Sequence, residues 1–204
     1  MAEVLPQVEI LPVKLRLHPV IDLTDDQLFD FCQINDQWRI ELTSEGELLI
    51  MPPTGGEAGN QNSEINIDLG VWARQDSTGV IFDSSAGFRL SNGAMRSPDA
   101  AWVLRSRLAQ LTRAEKQKFI PLCPDFVIEL RSPSDRLSTV QAKMQEWMAN
   151  GARLGWLLDP EQRRVYIYGP QGLVETLESP SAISGDPVMP GFILNLQRIW
   201  APDL

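Results

Sequence analysis

Several residue types from which catalytic and structural centres are commonly made are scarce in this sequence. It holds two cysteines, Cys32 and Cys123, far apart and outside any Cys-x-x-Cys spacing. That excludes a disulfide framework and a zinc ribbon. Its one histidine, His18, stands beside Pro19 in a proline-rich lead-in, where a structural or exposed role is expected and no Ser-His pair is evident. Neither a phosphate-cradling glycine loop nor a dinucleotide fingerprint is present. No apolar run approaches the ~20 residues that cross a bilayer, so no membrane partner is expected. The start, Met1-Ala2-Glu3-Val4-Leu5-Pro6, lacks a basic residue followed by an apolar stretch. No secretion signal is therefore expected, and with this cysteine usage the expected setting is cytoplasmic.

Positive charge is also short, with a formal net charge of −9, which counts against nucleic acid as a partner because phosphates attract cations. The deficit is uneven. Residues 1–70 hold 13 acidic and 3 basic side chains, whereas the remaining 134 hold 14 acidic and 15 basic. Between Arg89 and Lys118 seven basic residues face only Asp99 and Glu115. Such a stretch can meet a phosphate backbone or simply be a solvated face. What remains is ordinary: 204 residues, 43% hydrophobic and 22% charged, enough for one domain with a real core. The expected division is an acidic N-terminal helix and hairpin over residues 1–56 and a core over 57–204.

Pro6, Pro12 and Pro19 keep the first 20 residues extended. Thr24-Asp25-Asp26-Gln27 is a capping-box pattern that opens a short helix. Trp38–Leu42 and Glu47–Met51 alternate at period two around Ser44-Glu45-Gly46, a hairpin. From Asn60 to about Arg74, Ile65, Leu69 and Trp72 recur at helical spacing. Three strand signals follow, Val80–Leu90, Asp99–Leu104 and Asp125–Arg131, with a partly helical insertion at 105–121. Leu137, Val140, Met144, Trp147 and Met148 mark an amphipathic helix stopped by Asn150-Gly151. Leu154–Leu158 and Arg164–Tyr168 read as two further strands, and Trp147 and Trp156 as core. The expected class is α/β, with the order helix, three strands, helix, strand, strand.

In Asp125–Arg131 the apolar Phe126, Ile128 and Leu130 share one face, and Asp125, Val127, Glu129 and Arg131 the other. A strand this apolar lies inside a sheet, where an ionised Glu129 is costly unless paired or bound to a metal. One solution is an ion pair with Arg131, two residues along. The other is a second carboxylate across the sheet, the two holding a hard cation such as Mg²⁺. Asp125, roughly 13 Å along the same strand, is too far for that at about 3.3 Å per residue and reads as a strand-start residue. Asp99, opening the preceding strand behind Pro98, can lie within reach.

Pro98-Asp99 followed by Glu129-Leu130-Arg131 resembles the PD-(D/E)XK signature of restriction-endonuclease-like enzymes. The run Pro124–Arg136, with Lys143-Met144-Gln145-Glu146-Trp147, Asn150-Gly151 and Trp156-Leu157-Leu158-Asp159-Pro160, is similar to the Uma-type family of that superfamily over roughly residues 20–200. The resemblance implies a restriction-endonuclease-like core and phosphodiester hydrolysis. Asp99 and Glu129, helped by the Leu130 carbonyl, would hold Mg²⁺ or Mn²⁺. The implied partner is nucleic acid, DNA before RNA, and a homodimer because duplex cleavage usually takes two sites.

Arg131 stands where the signature has lysine. It supplies charge for the transition state but keeps its proton at any working pH and cannot be a base. On the next helix, Lys143 lies about 90° from the centre of the buried stripe. From there it can lean over the carboxylates or snorkel into solvent. The resemblance favours the first, making Lys143 the relocated lysine, which would orient or deprotonate the attacking water. Glu57 and Glu64, at the start of the preceding helix, are further carboxylates of the kind related enzymes use, or parts of a solvated face. The alternative to an enzyme is a catalytically inactive nuclease-fold module for protein–protein interaction, with a structural Glu129–Arg131 pair and an acidic face.

Overall fold

A computed structural model describes residues 12–202 and residue 204. The first part of the expected lead-in, residues 1–11, lies outside the described residues. The rest contains β1 (Val13–Arg16). Helix α1 (Asp25–Ile34) is capped as its sequence requires: the Thr24 side chain accepts from the Gln27 N–H, and the Gln27 side chain accepts from the Thr24 N–H. Strands β2 (Arg39–Leu42) and β3 (Glu47–Met51) form the hairpin, antiparallel with Leu42 opposite Leu48. Gly46 takes φ +76° at its turn, a conformation open to glycine because it has no Cβ.

Helix α2 (Gly56–Asp76) starts four residues before the expected Asn60 and ends two past Arg74. Gly55 is its N-cap and Gly59 N–H donates to the Gly55 carbonyl at 2.9 Å. The low helix propensity of three glycines obscured that first turn. The expected strand 80–90 is two strands, β4 (Gly79–Asp83) and β5 (Phe88–Arg89). Asp83 divides them, its Oδ1 accepting from the Ser85 N–H and its carbonyl from the Ala86 N–H. Such an Asx turn ends a strand whatever the hydrophobic pattern continues to say. Then come β6 (Met95–Arg96), β7 (Ala100–Leu104), α3 (Arg105–Leu108), α4 (Arg113–Lys116) and β8 (Phe126–Leu130). Next are α5 (Leu137–Ala149), β9 (Leu154–Asp159) and β10 (Arg164–Tyr168). The chain closes with β11 (Val174–Glu178), β12 (Ala182–Ser184), β13 (Ile193–Asn195) and α6 (Gln197–Trp200).

The central sheet runs β11-β10-β9-β8-β7-β4. Strand β8 pairs antiparallel with β7 and parallel with β9, and α5 makes the crossover a parallel pair needs. One face carries Ala100, Trp102, Phe126, Ile128 and Trp156 beneath Ile65 and Leu69 of α2; the other carries Ala101, Val103, Val127 and Leu157 beneath Val140, Met144 and Trp147 of α5. The larger of these side chains, fully buried, each contribute ~1.5–3 kcal/mol, and the sheet is covered on both faces. A second sheet, β1-β3-β2-β6-β5, packs its own cluster of Leu28, Ile40, Leu42, Leu48 and Met95. Because β5 and β6 belong to it, this sheet recruits residues from beyond the expected boundary at 56. Among the described residues no helix is long and apolar enough to cross a membrane.

Candidate active site

Ala100 lies opposite Ile128 in the antiparallel β7–β8 ladder, and the Asp99 N–H donates to the Ile128 carbonyl at 3.1 Å. One residue further along that register sets Asp99 opposite Glu129. Directly opposed residues point to the same face, which here is the face under α5, at the rim of the sheet. Both are buried, with 6% and 4% of their surface exposed.

Buried carboxylates need partners, and each has them. Asp99 Oδ2 accepts from the Leu130 N–H at 2.8 Å, and Oδ1 from Arg39 Nη1 at 2.9 Å. Glu129 Oε1 accepts from Trp147 Nε1 at 2.8 Å, and Oε2 from Lys143 Nζ at 3.0 Å. Lys143 therefore leans over the sheet. Its ammonium also donates to Glu41 Oε1 at 2.9 Å and to the Ser97 carbonyl at 3.0 Å. Glu41 in turn accepts from Arg96 Nη1 at 3.1 Å and from the Ser97 N–H at 3.2 Å, and Arg96 pairs with Glu146 on α5. On the α2 side, Asn66 donates to the Asp99 carbonyl at 3.2 Å.

The charges shift one another. Burial pushes the Glu129 carboxyl up to about 7; Lys143 and Arg39 pull it down, while Asp99 and Glu41 push with burial. Burial also pushes Glu41 upward, yet Lys143, Arg39 and Arg96 outweigh it and hold that carboxyl at about 2. For Lys143 burial pulls downward, and Glu129 and Glu41 together leave it raised. Its three N–H bonds meet three acceptors, an arrangement that favours the charged form.

Arg131 is not brought to this cluster. Its Nη1 pairs with Asp159 at 2.9 Å and Glu161 at 3.1 Å, and its Nε donates to the Asp135 carbonyl at 3.1 Å. The considered Glu129–Arg131 ion pair is accordingly absent from these contacts. Asp159, 0% exposed, competes successfully for the guanidinium because it lies just past Leu158, which faces Leu130 across the parallel β8–β9 ladder. Asp125 is held at the far end of β8, accepting from the Leu104 N–H and pairing with Arg107. Glu64 pairs with Arg198 at 2.9 Å, Glu57 is exposed, and His18 meets Asp22. None of these four is among the contacts of Asp99 or Glu129.

Sequence reasoning misses Arg39, Glu41 and the indole of Trp147. The signal is present for the first two. In Trp38–Leu42 the apolar Ile40 and Leu42 alternate with Arg39 and Glu41, the same pattern of charge on a buried strand that singles out Glu129. Trp147 reads as core from its helical spacing, and its 0% exposure agrees; only its N–H has a second task.

Among the described residues no group of three or more His, Cys, Asp and Glu side chains gathers as a metal cage. The carboxylate pair nonetheless suits a single hard cation. Both oxygens of Asp99 and Oε2 of Glu129 each meet one N–H donor and keep a second lone pair, while Glu129 Oε1 meets both Trp147 and, at 2.9 Å, Lys143. Glu41, Asp99, Glu129 and Glu146 face Arg39, Arg96 and Lys143, an excess of one negative charge when all are ionised. Two carboxylates completed by water and substrate oxygens are what Mg²⁺ ordinarily takes.

A mixed sheet with helices on both faces, three antiparallel strands then a helical crossover to a parallel fourth, is the restriction-endonuclease-like fold. The crystal structure of a protein from Anabaena variabilis, described as "a putative nuclease belonging to DUF820", superposes with a TM-score of 0.66 at 19% identity, over 79% of this chain and 89% of that one. The family Uma2, described as "Putative restriction endonuclease", matches residues 25–197. The chain belongs to the Uma2 family. None of the curated proteins matches it.

Proposed function

We propose that this protein is a metal-dependent nuclease that hydrolyses phosphodiester bonds in nucleic acid, DNA before RNA, and acts on duplexes as a homodimer. One observation carries the reading: Asp99, immediately before β7, stands opposite Glu129 of β8, both buried, with Lys143 of α5 bonded to Glu129. Asp99 and Glu129 would hold Mg²⁺ or Mn²⁺, which when bound supplies Lewis acidity to a phosphoryl oxygen and lowers the pKa of a water. Lys143 reaches both oxygens of Glu129 and Trp147 one of them, and Arg39 and the Leu130 N–H each hold one of Asp99, so neither carboxylate needs to reorganise for catalysis. Lys143 keeps its charge beside the place where the phosphate's negative charge grows. Arg131, engaged with Asp159, acts on the loop that follows β8 and not on the phosphate.

A second reading, an inactive module that binds a protein, draws on one specific feature. Both carboxylates already have a cation, and the first 70 residues carry 13 acidic against 3 basic side chains. The deciding experiment is cleavage of supercoiled plasmid, single-stranded DNA and RNA with Mg²⁺, Mn²⁺ or a chelator, using Glu129→Ala as the blank. Metal-dependent nicking in the parent and none in the blank is the expected result. Equal cleavage in both, or none in either, would transfer the case to the interaction module.

A further inference from the structure

The N-terminal sheet does more than flank the core. Arg39 and Glu41 are two apart on β2, on one face, and both point at the carboxylate pair. Arg39 meets Asp99 directly, while Glu41 meets Glu129 through Lys143.

We propose that Glu41 is a positioning residue for Lys143, so that β2 of the N-terminal sheet completes the catalytic centre. The inference rests on the nuclease reading of Asp99, Glu129 and Lys143. A lysine has four rotatable bonds and a strongly hydrated head, and its default at a helix flank is to reach for solvent. One contact to Glu129 would compete with water on even terms. Glu41 removes the competition. It is 1% exposed, and Arg96, the Ser97 N–H and, at 3.5 Å, Arg39 hold its carboxylate independently of Lys143. Arg96 is itself tied to Glu146, one helical turn beyond Lys143 on α5. The two elements are thus pinned at Glu41–Lys143 and Arg96–Glu146, and the ammonium is left with one place to sit. The Ser97 residue closes the set, its N–H on Glu41 and its carbonyl on Lys143, two positions before Asp99.

The test uses the full chain. In Glu41→Gln, which keeps shape and loses charge, kcat for metal-dependent nicking should fall about 10–100-fold, the usual cost of losing a supporting contact. KM should stay within about twofold, because Glu41 acts through Lys143 and not on substrate. Glu41→Asp, which keeps Arg96 paired but stops one methylene short of Lys143, should fold and show an intermediate loss. Heteronuclear NMR of isotope-labelled lysine gives a readout independent of cleavage. The parent should show a slowly exchanging ammonium signal that is absent in Lys143→Met and lost in Glu41→Gln. Failure of the parent to cleave would sink the nuclease reading, and the ammonium signal would still judge the Glu41–Lys143 hold. A signal or kcat unchanged in Glu41→Gln would overturn the positioning role.

Discussion

Lys143 and Arg131 are both long cations next to the same strand, yet the fold uses them differently. The Lys143 ammonium spends its three N–H groups on Glu41, Glu129 and Ser97. A guanidinium carries the charge but presents its donors in a planar fork that does not match three acceptors around a point. Nicking by Lys143→Met should therefore fall to the level of the Glu129→Ala blank, while Lys143→Arg keeps about a tenth of parental activity. If the arginine variant were as dead as methionine, a proton-transferring lysine would be the better account. Arg131 gives the opposite pattern. Its removal leaves Asp159, 0% exposed, with an uncompensated charge, a loss of ~3–5 kcal/mol for a broken buried pair. Arg131→Met should thus melt well below the parent under calorimetry and, at a temperature where it is folded, cleave within about fivefold of it. A variant that keeps its melting temperature and loses cleavage would restore Arg131 to the phosphate.

At the scale of elements, α5 carries the chemistry, since its Lys143, Glu146 and Trp147 all reach the cluster. Its end is therefore worth guarding. Gly151 follows the Asn150 cap with φ +110°, and Asn150 Nδ2 returns to the Glu146 carbonyl at 2.9 Å. Gly151→Ala forces a side chain into a region closed to L-residues, at a cost of ~1–2 kcal/mol. Nothing lies within 4 Å of the added Cβ, so the cost is backbone strain alone. Chemical denaturation should show a lower midpoint with an unchanged slope; an unchanged midpoint would mean the turn relaxes freely. The helix and its stop were legible because periodicity and a cap are local signals. The break of the expected 80–90 strand at Asp83 was not, because hydrophobicity continues through a turn that one side-chain hydrogen bond makes.

For the whole molecule, the site is a source of pH-dependent stability with two opposite signs. Glu41, held at about 2, contributes stability that is full above its ordinary value of 4.5 and is lost as pH falls toward 2. Glu129, raised to about 7, binds its proton more tightly folded than unfolded, so its contribution is present below 4.5 and is lost as pH rises through 7. Glu129→Gln removes that second loss. Its melting temperature relative to the parent should accordingly rise between pH 5 and pH 8, and a difference that stays flat or falls would contradict the raised carboxyl. A divalent cation should act on the same excess of negative charge. Mn²⁺ at about 100 times its dissociation constant stabilises by ~2.7 kcal/mol, so the parent's melting temperature should climb with added metal while Asp99→Asn responds much less. Equal responses would move the metal away from Asp99 and Glu129.

What the sequence determined by itself was local or strand-wise: the α/β order, the two faces of β8, the capped helices, and the presence of charge on strands too apolar to carry it freely. Those patterns single out Asp99 and Glu129, whereas for Lys143 they leave solvent equally open and the family resemblance tips the choice. Which charge meets which was decided only by tertiary packing. Arg131, which the alternation puts on one face with Glu129, falls just past the end of β8 and is claimed by Asp159 on the neighbouring parallel strand. Glu41, 88 positions from Glu129 in the sequence, reaches the same ammonium because the N-terminal sheet docks against α5. The physical reason is that side-chain direction follows from backbone periodicity, whereas an ion pair depends on which elements the folded chain brings within ~4 Å, and one residue's neighbours in sequence carry no record of that.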